Sequence, residues 1–285
     1  MRRLRIDHLT TYQFGAWVQL LPHKLLLRPR EGHDMRVESS RLVITPASKV
    51  KWHRDVYGNS MCIAEFSEMS NTLRIASEVV IQHFDESPMD FVINVDALQY
   101  PFLYKSSEQE ILLPYQKTCY PDDLSAVKEW VSQFLRAGQS VNTFDLLFSM
   151  NKAIANGFGY QAREAPGVQS PSETLKRRGG SCRDFATLFI EACRVLGLGA
   201  RFISGYLHCA GTQTGAGSTH AWAEVYLPGA GWKGFDSTSG VMTGVDHIAV
   251  ATSRHPADVP PVAGSFVGPG GILPALLVGV QVRAL

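Results

Sequence analysis

Between Cys182 and Asp236 the apolar residues change their period, and that change constrains the fold more than any other feature of the chain. Phe185, Leu188, Phe189, Ala192, Val195 and Leu196 recur at helical intervals and form one stripe, which Gly197 and Gly199 end. Ala200 to Leu207 then reads as a strand. From Ala221 the period becomes two, with Ala221, Ala223, Val225 and Leu227 alternating against Trp222, Glu224 and Tyr226. Pro228-Gly229-Ala230-Gly231 is a turn and Trp232 to Asp236 the next strand, so the two strands form a hairpin.

The rest of the chain divides around this segment. Residues 1–90 read as a β-rich module. Leu42-Val43-Ile44 and Val79-Val80-Ile81 are short β-branched runs typical of buried strands, and Gly58-Asn59 turns a hairpin. His53 and His83 lie in strand-like stretches and read as surface polar residues. Residues 91–120, punctuated by Pro101 and Pro114, read as a connecting segment. Residues 121–285 read as the core unit that contains this segment. It opens with a helix after Asp122-Asp123 that carries Val127, Trp130, Val131, Phe134 and Leu135 on one face. A second helix covers Thr143 to Asn156 and stops at Gly157. Gly157 to Gly180 is a long loop with a helical turn starting near Pro171, and Gly211 to Gly217 is a glycine-rich loop.

Composition removes several classes of function. Twenty-seven Lys and Arg balance 26 Asp and Glu, so neither nucleic acid nor an anionic membrane is an expected partner. The basic start lacks an apolar stretch behind it, and the apolar tract Gly271 to Val282 is too short to span a bilayer. A cytoplasmic protein without a membrane partner is the expectation, and the oligomeric state is open. Five widely spaced cysteines with no CxxC pair predict neither a disulfide framework nor a zinc site.

Cys182 stands where chemistry is expected. It opens a helix immediately after Gly179-Gly180-Ser181, and free N–H groups with partial positive charge at a helix start favour a thiolate and can receive an oxyanion. The two glycines would let a substrate backbone approach. His220 begins a strand, and Asp236 ends the next one sixteen positions later (236 − 220). Across a hairpin, facing residues have Cβ atoms roughly 4.5–5.5 Å apart, close enough for Asp236 to orient His220 while the other ring nitrogen serves the thiol. Tyr160 is a candidate second oxyanion donor, with a packing role as its alternative. Asp184 and Ser181 are further oxyanion or substrate candidates, although Asp184 suits the helix start better than catalysis and an adjacent cysteine outcompetes Ser181 as nucleophile. Trp222 and Glu224 read as packing and hydrogen-bonding residues, and Cys193 and Cys209 as inert.

Four blocks in order resemble the core of the transglutaminase-like superfamily: Gly179-Gly180-Ser181-Cys182-Arg183-Asp184-Phe185-Ala186, Gly197 to Tyr206, Thr219 to Tyr226, and Trp232-Lys233-Gly234-Phe235-Asp236-Ser237-Thr238. The β-rich start and the ending around His247 to Ala251 and Asp258 to Gly264 are similar to bacterial members of that superfamily. The resemblance implies an α+β fold, with a nucleophile helix packed on an antiparallel sheet as in papain-like thiol proteases, behind an N-terminal β-rich module. It matches Cys182, His220 and Asp236 to the catalytic triad one for one. It implies a cysteine protease or amidohydrolase that cleaves peptide or isopeptide bonds through a thioester, with no cofactor or metal and with a peptide or protein amide as acyl donor. An amine-accepting transglutaminase is the alternative within enzymes, and a non-enzymatic binding module the alternative outside them. Arg183 replaces the Trp that follows the nucleophile in animal transglutaminases, which weakens transfer of the crosslinking activity. Ser237 replaces the Pro that often follows the family Asp.

Overall fold

The structure is a computed structural model that describes residues 1–84, 89–162, 167–208 and 217–285, Ser218 by its backbone alone. Six strands come first without an intervening helix: β1 (Arg2–Leu20), β2 (His23–Leu25), β3 (Met35–Thr45), β4 (Ser48–Arg54), β5 (Ser60–Phe66) and β6 (Met69–His83). β1 alternates strictly over its first half. Leu4, Ile6, His8 and Thr10 are buried, while Arg5 and Asp7 lie on the other face in ion pairs with Glu78 and Arg283. The β4–β5 hairpin turns where expected, with Gly58 at φ 74° and the Asp55 carboxylate accepting from the N–H groups of Tyr57 and Asn59 at 2.9 Å. Val43, expected inside, is 40% exposed, while its neighbours Leu42 and Ile44, on the other face of β3, pack against a buried cluster.

Residues 91–120 are not merely a connection. After β7 (Gln99–Tyr100) they form α1 (Ser106–Gln116), whose last turn contains Pro114. The proline punctuation hid this helix. α2 (Leu124–Ser132), β8 (Val141–Asn142) and α3 (Thr143–Gly157) follow, and Asn142 caps α3 by accepting from the Asp145 N–H at 3.0 Å. β9 (Gly159–Tyr160), α4 (Pro171–Arg177) and β10 (Gly179–Gly180) lead into α5 (Cys182–Val195). Arg178, at φ 48°, makes the left-handed step that ends α4.

Then come β11 (Ala200–His208), β12 (Gly217–Leu227), β13 (Gly231–Asp236), β14 (Val241–Met242) and β15 (His247–Ser253), which form one antiparallel sheet in the order β14-β13-β12-β11-β15. α5 lies on this sheet. Phe185, Leu188, Phe189 and Ala192 are all buried, and the small side chains of Ala221 and Ala223 on β12 let the helix approach closely. Each large apolar side chain buried here contributes about 1.5–3 kcal/mol. At its far end α5 is tied by a buried ion pair, Arg194 to Glu191 at 2.6 Å, with Arg194 also donating to the carbonyls of Tyr115, Ala200 and Arg254.

The last strands run back across the expected division of the chain. β16 (Val262–Ala263) pairs with β2, while β17 (Phe266–Val267) and β18 (Ala275–Ala284) pair with β1, from Leu4↔Ala284 to Gln13↔Ala275. The segment 121–285 therefore does not keep its own ending. The physical reason is the free edge of β1, which the apolar tract covers while Val282 adds to the core that Leu4, Ile6, Val79 and Ile81 share with α5 and its sheet. The two units also meet through a polar contact. His8 Nδ1 lies 2.9 Å from the Tyr206 hydroxyl and Nε2 lies 2.8 Å from Thr10 Oγ1, all buried.

The β12–β13 turn is clamped from outside. The Asn94 N–H donates to the Pro228 carbonyl at 2.8 Å. Gly229 has φ 86°, and a Cβ there would lie 2.5 Å from Asn94 Oδ1. Among the described residues, no helix is long and apolar enough to cross a membrane.

Candidate active site

Cys182 occupies the first turn of α5, capped by Ser181. The Ser181 N–H and hydroxyl both donate to Asp184 Oδ2 at 2.8 Å, and the Gln169 N–H donates to Asp184 Oδ1 at 2.7 Å. Asp184 thus closes the helix start and ties the preceding loop to it, as a carboxylate at that position should. Ser181 and Asp184, candidates for substrate or oxyanion contact, spend these polar groups on the cap. The glycines also have another use than the expected one. A Cβ on Gly180 would sit 2.9 Å from Asp184 Cβ, and one on Gly179 would sit 3.0 Å from the Gly159 carbonyl oxygen. The space is filled by the protein itself rather than left for substrate.

β9 and β10 form a short parallel pair, Gly159↔Gly179 and Tyr160↔Gly180, and this brings Tyr160 to the mouth of α5. Its ring is half-exposed, 6.5 Å from the Phe185 ring. Burial and then the charge of Cys182 raise its pKa, so the phenol keeps its proton and can donate it in a hydrogen bond.

His220 and Asp236 do meet, though not as facing residues. The register Ala223↔Phe235 and Leu227↔Gly231 puts Asp236 opposite Trp222, so His220 is its diagonal neighbour on the same face. Diagonal Cα positions are about 7–8 Å apart, a gap that long side chains close. His220 Nε2 lies 3.0 Å from Asp236 Oδ2. Cys182 is near enough to the imidazole to raise its pKa, and with Nε2 on Asp236 the nitrogen left for the thiol is Nδ1. Burial pushes the His220 pKa down, but the hydrogen bonds to Asp236 and Cys182 outweigh it and hold the pKa up at about 9. Burial would raise Asp236, yet hydrogen bonds from His220 and then His247 keep it far below the usual carboxylate range.

Asp236 is fixed by more than its histidine. The Thr238 N–H donates to Oδ1 at 2.9 Å and the Ser239 hydroxyl to Oδ2 at 2.7 Å. Ser237, in the position of the expected proline, donates its hydroxyl to Asn151 Oδ1 at 2.8 Å and so fastens this turn to α3. His247 Nε2 lies 3.2 Å from Asp236 Oδ2. The sequence reading missed His247 and Ser239. The available signal was an imidazole opening an otherwise apolar strand eleven residues after Asp236 (247 − 236). His220, Asp236 and His247 also have potential metal-ligating atoms within 4.8 Å of one another, but those atoms already meet as hydrogen bonds.

Trp222 packs beside the pair, edge-on to His247 at 5.3 Å. Its ring crosses Gly205, where a Cβ would lie 2.7 Å from it. Glu224 is ion-paired to Arg201 at 2.7 Å. His83, expected at the surface, is buried, with Nε2 3.3 Å from the His247 carbonyl oxygen. Of the other cysteines, Cys62 and Cys193 are buried, and burial pushes both thiols up, Cys62 to about 11. Cys209 and the glycine-rich loop from 211 to 216 lie outside the described residues.

Comparison with known proteins gives concordant matches. Residues 4–82 match the bacterial transglutaminase-like N-terminal region, and residues 130–237 match the transglutaminase-like superfamily. An uncharacterized protein of Mycobacterium tuberculosis is 30% identical over 280 residues, covering 92% of this chain and 87% of its own. One from Mycobacterium leprae is 24% identical, covering 95% of each chain. The crystal structure of a candidate cysteine protease from Cytophaga hutchinsonii superposes with a TM-score of 0.75 at 19% identity, over 100% of this chain and 91% of that one.

Proposed function

This chain belongs to the transglutaminase-like superfamily, and from that premise we propose that it is a thiol enzyme cleaving peptide or isopeptide bonds through a thioester on Cys182. The observation that carries the reading is the single imidazole of His220, 3.0 Å from Asp236 through Nε2 and near enough to Cys182 for the thiol to raise its pKa.

The raised pKa of His220 favours residence of the Cys182 proton on its Nδ1, as an imidazolium beside the sulfur, and the sulfur attacks an amide carbonyl carbon. A C–S bond forms and the carbonyl electrons move onto oxygen, where the N–H groups at the start of α5 receive them, with Tyr160 as a further donor. As the tetrahedral adduct collapses, the C–N bond breaks and His220 gives its proton to the leaving amine. A thioester remains on Cys182. Water, deprotonated by His220, then attacks it; the C–S bond breaks, the acid leaves and the thiol is restored. Asp236 holds the ring in place and balances its charge throughout.

The test combines labelling and turnover. A thiol-alkylating probe should modify Cys182 ahead of the other four cysteines, and Cys182→Ala should abolish turnover. Even labelling of all five overturns the reading in favour of a binding module. With a glutamine peptide and a labelled amine, ammonia release without amine incorporation supports hydrolysis, whereas incorporation assigns amine transfer.

A further inference from the structure

Asp236 Oδ2 carries two imidazoles, and only one of them serves Cys182. Resting on the thiol-enzyme reading, we infer that His247 is a positioning residue: a neutral imidazole that holds the Asp236 carboxylate in line with His220. The backbone fixes its tautomer. The Gly244 N–H donates to His247 Nδ1 at 3.3 Å, so that nitrogen carries no hydrogen and Nε2 carries one. Nε2–H therefore points at Asp236 Oδ2, 3.2 Å away.

The ring has little freedom to leave that line. It is buried, Trp222 meets it edge-on, and β15 holds its backbone through the pair Leu207↔His247. The donor is uncharged, so it steadies the anion without adding a second cation to the network. His220 is left as the one imidazole of the two that carries positive charge. Asp236 in turn resists rotation because its two oxygens take four hydrogen bonds, from His220, His247, Ser239 and Thr238. Removing His247 frees one side of Oδ2, and the carboxylate can then swing toward Ser239 and Thr238 and away from the line of the His220 N–H.

The experiment measures alkylation of Cys182 by iodoacetamide against pH in the full chain, which needs no substrate. His247→Phe keeps the ring contact with Trp222 and loses the donor. It should slow labelling about 10–100-fold, the size of one hydrogen bond to a charged group, and should move the acid limb of the profile to higher pH. His247→Gln, which restores an N–H, should recover the rate to within a few-fold. Labelling of His247→Phe at the wild-type rate and with the wild-type profile overturns the inference. If His247→Phe does not fold, imidazole 15N spectra of the wild-type protein decide: hydrogen on Nε2 of His247 supports the inference and hydrogen on Nδ1 overturns it. Failure of the thiol-enzyme reading looks different, since wild-type Cys182 would then label no faster than the other cysteines. The inference would fall with it.

Discussion

His8 and His220 sit almost equally deep, 2% and 7% exposed, and are held in opposite states. His8, between the N-terminal sheet and β11, has two hydroxyl partners, Tyr206 and Thr10, and burial lowers its pKa to about 4. His220 suffers the same burial but has Asp236 and Cys182 as partners and rises to about 9. Depth is therefore not what makes a buried imidazole chemically ready. The partner decides: a hydroxyl satisfies the neutral ring, whereas a carboxylate stabilises the cation. One histidine helps hold the two units together as a neutral ring, and the other is held as the cation.

The sharpest way to break this comparison is to make the His220 surroundings like those of His8. Asp236→Asn removes the charge and keeps the shape. Turnover should fall by about 10⁴-fold, as in the serine–histidine–aspartate triad, and the His220 pKa should fall from about 9, read by NMR. A His220 that still titrates near 9 would refute the assignment of its state to the carboxylate. The reverse exchange is Thr10→Asp, beside His8 Nε2. It should raise the His8 pKa well above 4 and, by burying a charge, cost about 3 kcal/mol in a denaturant midpoint measurement. No movement of the His8 titration would show that depth alone governs it.

The two shifts also predict opposite slopes of stability with pH. His8 binds its proton more weakly folded than unfolded, so its contribution is complete above pH 6.5 and is lost as the pH falls toward 4. His220 binds its proton more tightly folded, so its contribution is complete below pH 6.5 and is lost as the pH rises through 9. Each shift corresponds to about 3 kcal/mol. Melting curves across this range should lose the acid slope in His8→Gln and the alkaline slope in His220→Gln. Slopes unchanged by either substitution would break the account. The smallest effect belongs to Tyr160→Phe. Its ring contact with Phe185 survives and only the hydroxyl is lost, so turnover should fall less than about tenfold, the worth of one hydrogen bond.

How far the sequence could be read depended on how local each signal was. The α5 stripe and the alternation of β12 are carried by neighbouring residues, so both elements were legible, as was the cysteine at the junction. The company of His220 and Asp236 was legible from their order and the hairpin between them. Their diagonal placement was not, because it depends on pairing Leu227 with Gly231. α1 was hidden because Pro114, in its last turn, carries the ordinary signature of a break. β18 read as an apolar tract because its partner, β1, lies 280 residues earlier (284 − 4) in the pairing Leu4↔Ala284. His247 was illegible as part of the site for the same reason: only the folded sheet carries β15 past β11 to Asp236.

The clamp that Asn94 places on the Pro228 turn has a consequence for how this chemistry can vary. Strand faces alternate residue by residue, so one amino acid added to or deleted from that bend would send Asp236 to the opposite side of the sheet. The proposed triad would be dismantled with every one of its members still present. A stretch of chain remote from the sulfur thus acts as a ruler for it, and substitutions along the ruler are cheap where changes of its length are not.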